Sequence, residues 1–238
     1  MLSMIDWTNV ISETLSGLIV GSVLAVLGYV FIDHYMQSIA FSKKMSEYGF
    51  SNVSLERQSG KEVRQICEEA DLIKIINVSG MHFLNDNRPY ILNALARGCS
   101  ICFLCANPDS QFLSDIENME FNTFDDSGRR LRGKDDKIGR EVEMLTSDYL
   151  AAGMHIKYFS SEYRLPFVIA RYPDGSKKAW LTMTLPPYKS TRSFVLRGQL
   201  EKGTVYSSEL NFIEMMETNF DTIWNYGSVD ASSCISER

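Results

Sequence analysis

Leu72-Ile-Lys-Ile-Ile-Asn-Val78 and Ser100-Ile-Cys-Phe-Leu-Cys-Ala106 are two short apolar runs, and the segment between them decides the architecture. Each run is bounded by turn formers, Ser79-Gly80 after the first and Asn107-Pro108-Asp109-Ser110 after the second, so each reads as a buried strand. Asn87 to Arg97, in between, places Pro89 in a first helical turn and Ile91, Leu92, Leu95 and Ala96 along its apolar positions, with Gly98 as the stop. Strand, helix, strand with short links is a parallel crossover unit. The pattern predicts an α/β domain with a mixed, mainly parallel sheet flanked by helices.

Working outward, Lys61 to Ala70 reads as a helix with Val63, Ile66 and Cys67 on one face and Ser59 as its cap. Gln111 to Asp126 reads as a short helix and loop, and a second helix ends near Gly153. Met154 to Phe159 and Leu165 to Arg171 read as strands, and Pro173-Asp-Gly175 as a hairpin turn into Lys178 to Leu185. Ser193 to Leu196 is a further strand. The last helix runs from about Ser208 to Tyr226, with Leu210, Phe212, Ile213, Met216, Phe220, Ile223 and Trp224 as its apolar stripe. The domain is thus bounded at 61–226, between a polar linker ending at Gly60 and a polar tail, 227–238, that reads as disordered.

Ahead of the domain, Leu15 to Ile32 carries no charge and is apolar all round, bounded by Glu13 and Asp33. As a helix it would span roughly 27 Å, close to the hydrocarbon thickness of a bilayer. Residues 1–33 therefore read as an N-terminal segment with one transmembrane helix, and 34–60 as a juxtamembrane stalk and linker. Asp6 and Glu13 precede the run without any Lys or Arg, whereas His34, Lys43 and Lys44 follow it. That asymmetry predicts a cell-membrane protein with its N-terminus outside and its C-terminal domain in the cytoplasm. A basic leader region and a small-residue cleavage site are both missing, so the run reads as an anchor and not a signal peptide. Gly17, Gly21 and Ala25 recur every fourth residue, a spacing that lets two such helices pack as a homodimer.

At 238 residues and net charge −6, the chain holds one well-buried domain beyond the anchor and is a poor general binder of nucleic acid. Its five cysteines are odd in number, and a strand divides Cys99 and Cys105 from Cys102. Reduced buried thiols are expected, with no metal site and no cofactor.

The order of the pieces resembles one half of a phospholipase D-like domain, over roughly residues 61 to 226. The similar segments are Ile73-Lys-Ile-Ile-Asn-Val-Ser-Gly80, Ile91-Leu-Asn-Ala-Leu-Ala-Arg-Gly98, Ser100 to Ser110, Leu150-Ala-Ala-Gly-Met-His-Ile-Lys157, Phe167-Val-Ile-Ala-Arg171 and Phe220-Asp-Thr-Ile-Trp224. The resemblance implies phosphodiester chemistry through a motif H-x-K-x-x-x-x-D, in which histidine attacks or protonates and lysine neutralises the phosphate. The matching positions here are Arg164, Pro166 and Arg171, so the motif is absent. A near match one strand earlier, His155, Lys157 and Glu162, is the candidate catalytic set of the alternative reading, a dimeric phosphodiesterase.

Ser79 and His82 follow one strand, and Asn107, Asp109 and Ser110 end its neighbour, where parallel sheets place ligand crevices. The plainer reading of Asn107 to Ser110 is a turn and helix cap. Arg129, Arg130 and Arg132 open a basic stretch suited to a phosphate-containing ligand, although the nearby aspartates also fit a solvated helix. The main expectation is a membrane-anchored, non-catalytic domain that binds a nucleotide, nucleic acid or protein partner. Its plan resembles small bacterial membrane effectors of stress or anti-phage responses. A plain membrane scaffold is the third reading.

Overall fold

The crossover unit is present with the expected order: β2 (Leu72–Ile76), a short helix α2 (Met81–Asp86), α3 (Arg88–Ala96) and β3 (Ser100–Ala106). β2 and β3 pair in parallel, Ile73 opposite Ile101 and Ile75 opposite Phe103. The structure, a computed structural model, describes residues 43, 45, 48–54, 60–122, 138–159, 166–184, 193–201 and 211–236. The chain divides into two units, 1–46 and 47–238, and the elements named here belong to the second. The uncharged run 15–32, with Gly17, Gly21 and Ala25, lies outside the described residues. Among the described residues, no helix is long and apolar enough to cross a membrane.

The remaining elements are β1 (Phe50–Ser54), α1 (Gly60–Glu69), α4 (Gln111–Phe121), α5 (Ile138–Ala151), β4 (His155–Phe159), β5 (Phe167–Arg171), β6 (Lys177–Thr184), β7 (Ser193–Leu200), α6 (Phe212–Tyr226), β8 (Ser228–Asp230) and α7 (Ala231–Ser236). The strands form one sheet in the order β1-β7-β6-β5-β2-β3-β4-β8. The sheet is mixed, as expected, but it is not mainly parallel. Only β2-β3 and β3-β4 run parallel, and the other pairs are antiparallel. The reason lies in the links. Helices α2 and α3 separate β2 from β3, and α4 and α5 separate β3 from β4, which returns the chain to the same end of the sheet each time. Residues 172–176 make a tight turn, Gly175 N bonding Tyr172 O, and can only return the chain antiparallel.

Both sheet faces are covered, and β3 shows it: Ile101, Phe103, Leu104, Cys105 and Ala106 are all buried. α1, α3 and α5 cover one face. There the Arg97 guanidinium closes the end of α1 by donating to the carbonyls of Cys67 at 3.1 Å and Ala70 at 2.6 Å. α5 is locked by Tyr149, whose hydroxyl donates to Leu84 O at 2.7 Å, and by a 2.7 Å bond between the Thr146 and Tyr158 hydroxyls.

α6 lies on the opposite face. Asn211 caps it, its side-chain oxygen accepting from Ile213 N at 2.9 Å and Glu214 N at 3.4 Å. Phe220 and Phe212 anchor it, Phe212 stacking on Phe50 with centroids 4.3 Å apart. Its polar side carries Glu217 and Asp221, which meet Lys74 of β2, while Lys177 of β6 also bonds Glu217.

Two segments differ from the sequence expectation. Phe50–Ser54, read as the end of a stalk and a polar linker, is an edge strand paired with β7. The segment after Gly227, read as a disordered tail, forms β8 on β4 and then α7, with Ala231 fully buried. Neither has an apolar pattern of its own, and pairing to a neighbouring strand supplies the order. All five cysteines are free, with Cys67, Cys99 and Cys105 buried.

Candidate ligand-binding cleft

The chain leaves β2 through a sharp corner. Asn77 Oδ1 accepts from Gly80 N at 3.2 Å, and Gly80 sits at φ +68. A Cβ there would also lie 2.3 Å from the Phe103 ring, so both conformation and space require glycine. The corner throws α2 across the C-terminal end of β2. Asn87 then closes α2, its Nδ2 donating to Phe83 O at 2.7 Å, and its own carbonyl receives Tyr90 N and Ile91 N to start α3.

A cleft of about 480 Å³ opens beside this corner, within the range of small-molecule sites. Its polar lining is Asn77, Ser79, His82, Asp86, Asn87, Tyr90 and Thr182, and its far wall is Pro166, immediately before β5. His82 and Asp86 are one helical turn apart and both exposed, whereas Asn87 is buried, at 7% exposure. The ionisable groups of the described lining are His82, Asp86 and Tyr90, and neither Lys nor Arg is among them. The lining thus offers carboxylate, amide and hydroxyl oxygens, with an aromatic ring at Tyr90.

Of the expected binding residues, Ser79 and His82 line this cleft, and Asn107, Asp109 and Ser110 do not. Asn107 Oδ1 accepts from Asp109 N at 3.0 Å and Ser110 Oγ from Leu113 N at 3.3 Å, the turn and cap of the plainer reading. Arg129, Arg130 and Arg132 lie outside the described residues, as does Glu162.

His155 and Lys157 are not at the cleft. The register aligns His155 with Cys102 and Lys74, and Lys157 with Leu104 and Ile76, which puts both on the α6 face. His155 begins β4 at the end of the parallel strands opposite to the cleft, and is exposed. The Lys157 amine donates to Trp224 O at 3.1 Å, lies 5.0 Å from the Trp224 ring centroid and 4.0 Å from Asp230. It closes the C-terminal turn of α6, a structural task.

Asn77, Asp86, Asn87, Tyr90 and Thr182 are not singled out by sequence, and Pro166 stands out there only as a position at which the family motif is absent. Asp86 was legible one turn after His82. Pro166 and Thr182 reach the cleft only because β5 pairs with β2 and β6 with β5.

The chain is, by its architecture, a mixed α/β-sheet protein with flanking helices. No protein-family model matches the sequence, and no curated protein matches it. Among solved structures it is similar to TrmBL2, an archaeal chromatin protein reported with a novel mode of DNA binding. That likeness has a TM-score of 0.40 at 11% identity, over 91% of this chain and 69% of that one. It is also similar to Nuc, a phospholipase D family member from Salmonella typhimurium. Here the TM-score is 0.41 at 10% identity, over 75% of this chain and 94% of the other.

Proposed function

We propose that the chain is a membrane-tethered binding protein whose cytoplasmic domain is phospholipase D-like in plan and non-hydrolytic, with its ligand in the cleft between α2 and Pro166. The observation that carries the reading is the wall of that cleft. Where the resemblance requires the histidine and lysine leading into β5, the chain has Arg164 and Pro166, and β5 itself is Phe-Val-Ile-Ala-Arg. Arg171, at the acid's position, ends β5 and pairs with Asp71 at 3.4 Å. A proline ring neither attacks phosphorus nor carries the cation that phosphate needs.

The described lining favours an uncharged or cationic ligand with several donors, because Asp86, Asn87, Ser79 and Thr182 offer oxygens to it. A nucleoside or a diamine has this chemistry. The tether is supported by the uncharged run 15–32 and the basic residues after it, and pairing through Gly17, Gly21 and Ala25 would bring two domains together. Such an assembly fits an effector whose output passes through the membrane helix.

The test uses the full chain in detergent micelles. Adenosine, cytidine and putrescine are titrated while thermal unfolding is followed, with AMP as the anionic comparison. At least one of the first three raises the unfolding temperature, and Asp86→Ala removes that rise. An AMP response larger than any of theirs would overturn the ligand class, and no response to any probe would overturn the cleft as a site. Turnover of bis-p-nitrophenyl phosphate lost in His155→Ala would overturn the non-hydrolytic reading in favour of the phosphodiesterase.

A further inference from the structure

A separate cavity of about 210 Å³, room for roughly seven waters, lies where α1 covers β6, β7 and β1, and among the described residues it shares no lining residue with the cleft. The register sets its floor. Trp180 faces Arg197 across β6 and β7, and Lys178 faces Gln199, so all four stand on the sheet face that α1 covers. From α1, Glu62 takes a two-point ion pair from Arg197, at 2.7 and 3.0 Å. The Lys178 ammonium lies 5.3 Å from the Tyr172 ring centroid and makes no ion pair among the described residues.

Two of the lining residues, Tyr172 and Trp180, carry a buried donor with no acceptor among the described residues. Tyr172 is 8% exposed and Trp180 6%, and neither the phenol oxygen nor the indole nitrogen has a hydrogen-bond partner among the described residues. Buried polar atoms are nearly always paired, and two orphans in one cavity mark a missing group. An indole N–H can only donate, so that group is an acceptor. Burial, with the Glu69 and Asp174 carboxylates adding to it, raises the Tyr172 phenol to about 12, which keeps it a donor across the physiological range. Glu62 pairs with Arg197, and Lys178 is the further cation of the described lining, with the Glu69 and Asp174 carboxylates outside that lining acting on Tyr172.

We propose that this cavity is a second ligand site, taking a compact anionic group, a carboxylate or a phosphate, that accepts from Trp180 and Tyr172 and is balanced by Lys178. Both donor atoms are closed to water, so binding includes a rotamer change of Lys178, which lies across the Tyr172 ring. A domain with one cleft for an uncharged or cationic ligand and one cavity for an anion can report on both.

The probes are sodium phosphate and sodium acetate, each against sodium chloride at matched ionic strength, on the full chain in detergent micelles. Unfolding temperature and tryptophan fluorescence are read together. One anion gives a saturable rise in the first and a change in the second beyond chloride, and which anion does so names the group. Lys178→Gln and Tyr172→Phe each weaken its Kd at least tenfold. Should Tyr172→Phe fail to fold, Lys178→Gln carries the test. Absence of any effect beyond chloride would overturn the proposal, as would binding unchanged in Lys178→Gln. A merely structural orphan predicts that Tyr172→Phe is equally or more stable in every salt, with no anion dependence, and that pattern also refutes the site. The Asp86→Ala variant leaves this response intact, so failure here and failure at the cleft are distinguishable.

Discussion

Replacing Glu217 with Gln removes the charge that ties α6 to the sheet. Lys74 of β2 and Lys177 of β6 both bond this carboxylate, the first at 2.9 Å, and the side chains of Glu217 and Lys74 are 18% and 12% exposed. At an effective dielectric of about 20, one such contact is worth about 6 kcal/mol gross, most of it offset by the desolvation of both ions. Breaking a buried pair by removing one partner costs 3–5 kcal/mol. The lower end, about 3 kcal/mol, applies here because Asp221 still neutralises Lys74 at 2.8 Å. For a domain of this size that is a fall of roughly 6–12 °C in Tm. Burial pushes the Glu217 carboxyl up, but the hydrogen bonds and charges of Lys177 and Lys74 outweigh it and hold it below the usual carboxylate range. A depressed carboxyl contributes stability that is fully present above its unfolded pKa, near 4.5, and is lost as pH falls through the lower folded value. Wild type therefore loses this stability in the acid limb below about pH 4.5, and Glu217→Gln has none of it to lose. Lys74, raised by Asp221 and Glu217 against the opposing effect of burial, keeps its share below its unfolded pKa and loses it only at strongly alkaline pH. Urea melts of the full chain in micelles, followed by far-UV circular dichroism between pH 3 and 8, measure both effects. Exposed Glu214, on the same helix, is the control, with Glu214→Gln below about 1 kcal/mol. A Glu217→Gln loss under about 0.5 kcal/mol at pH 7, or an acid limb as steep as wild type, would refute the reasoning.

Gly80→Ala forces a Cβ into the Phe103 ring at a left-handed backbone position, and should cost about 3 kcal/mol in denaturant melts. Thr146→Val strands the buried Tyr158 hydroxyl, an expected loss of about 1–3 kcal/mol; Thr146→Ser, which keeps the bond, should recover most of it. Burial raises the thiols of Cys67 to about 12 and of Cys99 to about 11, and pushes Cys105 up as well. Iodoacetamide at pH 8 should therefore label half-buried Cys234 before these three, as read by peptide mass spectrometry.

The legible part of the fold is the part whose signal is local. β2, α3, β3 and β4 stand where apolar periodicity, proline, glycine and turn residues put them, because those residues bury their own side chains. β1 and β8 escape such a reading, since an edge strand is made by its neighbour's hydrogen bonds and Val229 and Asp230 remain exposed. The same distinction divides the candidate site. Ser79 and His82 were visible as the end of a strand, but Thr182 joins them only through two antiparallel pairings that no local pattern encodes. His155 and Lys157 show the converse: strand alternation correctly gives them one face, and that face turns out to belong to α6.

The amino-acid sequence by itself determined the crossover unit, the glycine corner at the end of β2 and the lack of a histidine and lysine leading into β5. All of these follow from the chemistry of residues close together in the chain. Tertiary structure alone decided that the sheet is mostly antiparallel, that Lys157 closes a helix, and that Pro166 and Thr182 wall a cleft begun by Ser79. Tertiary structure likewise left the Tyr172 and Trp180 donors near one cavity without an acceptor among the described residues. The physical reason is that strand order and burial depend on which distant surfaces find one another, and a side chain acquires its task only from what is packed against it.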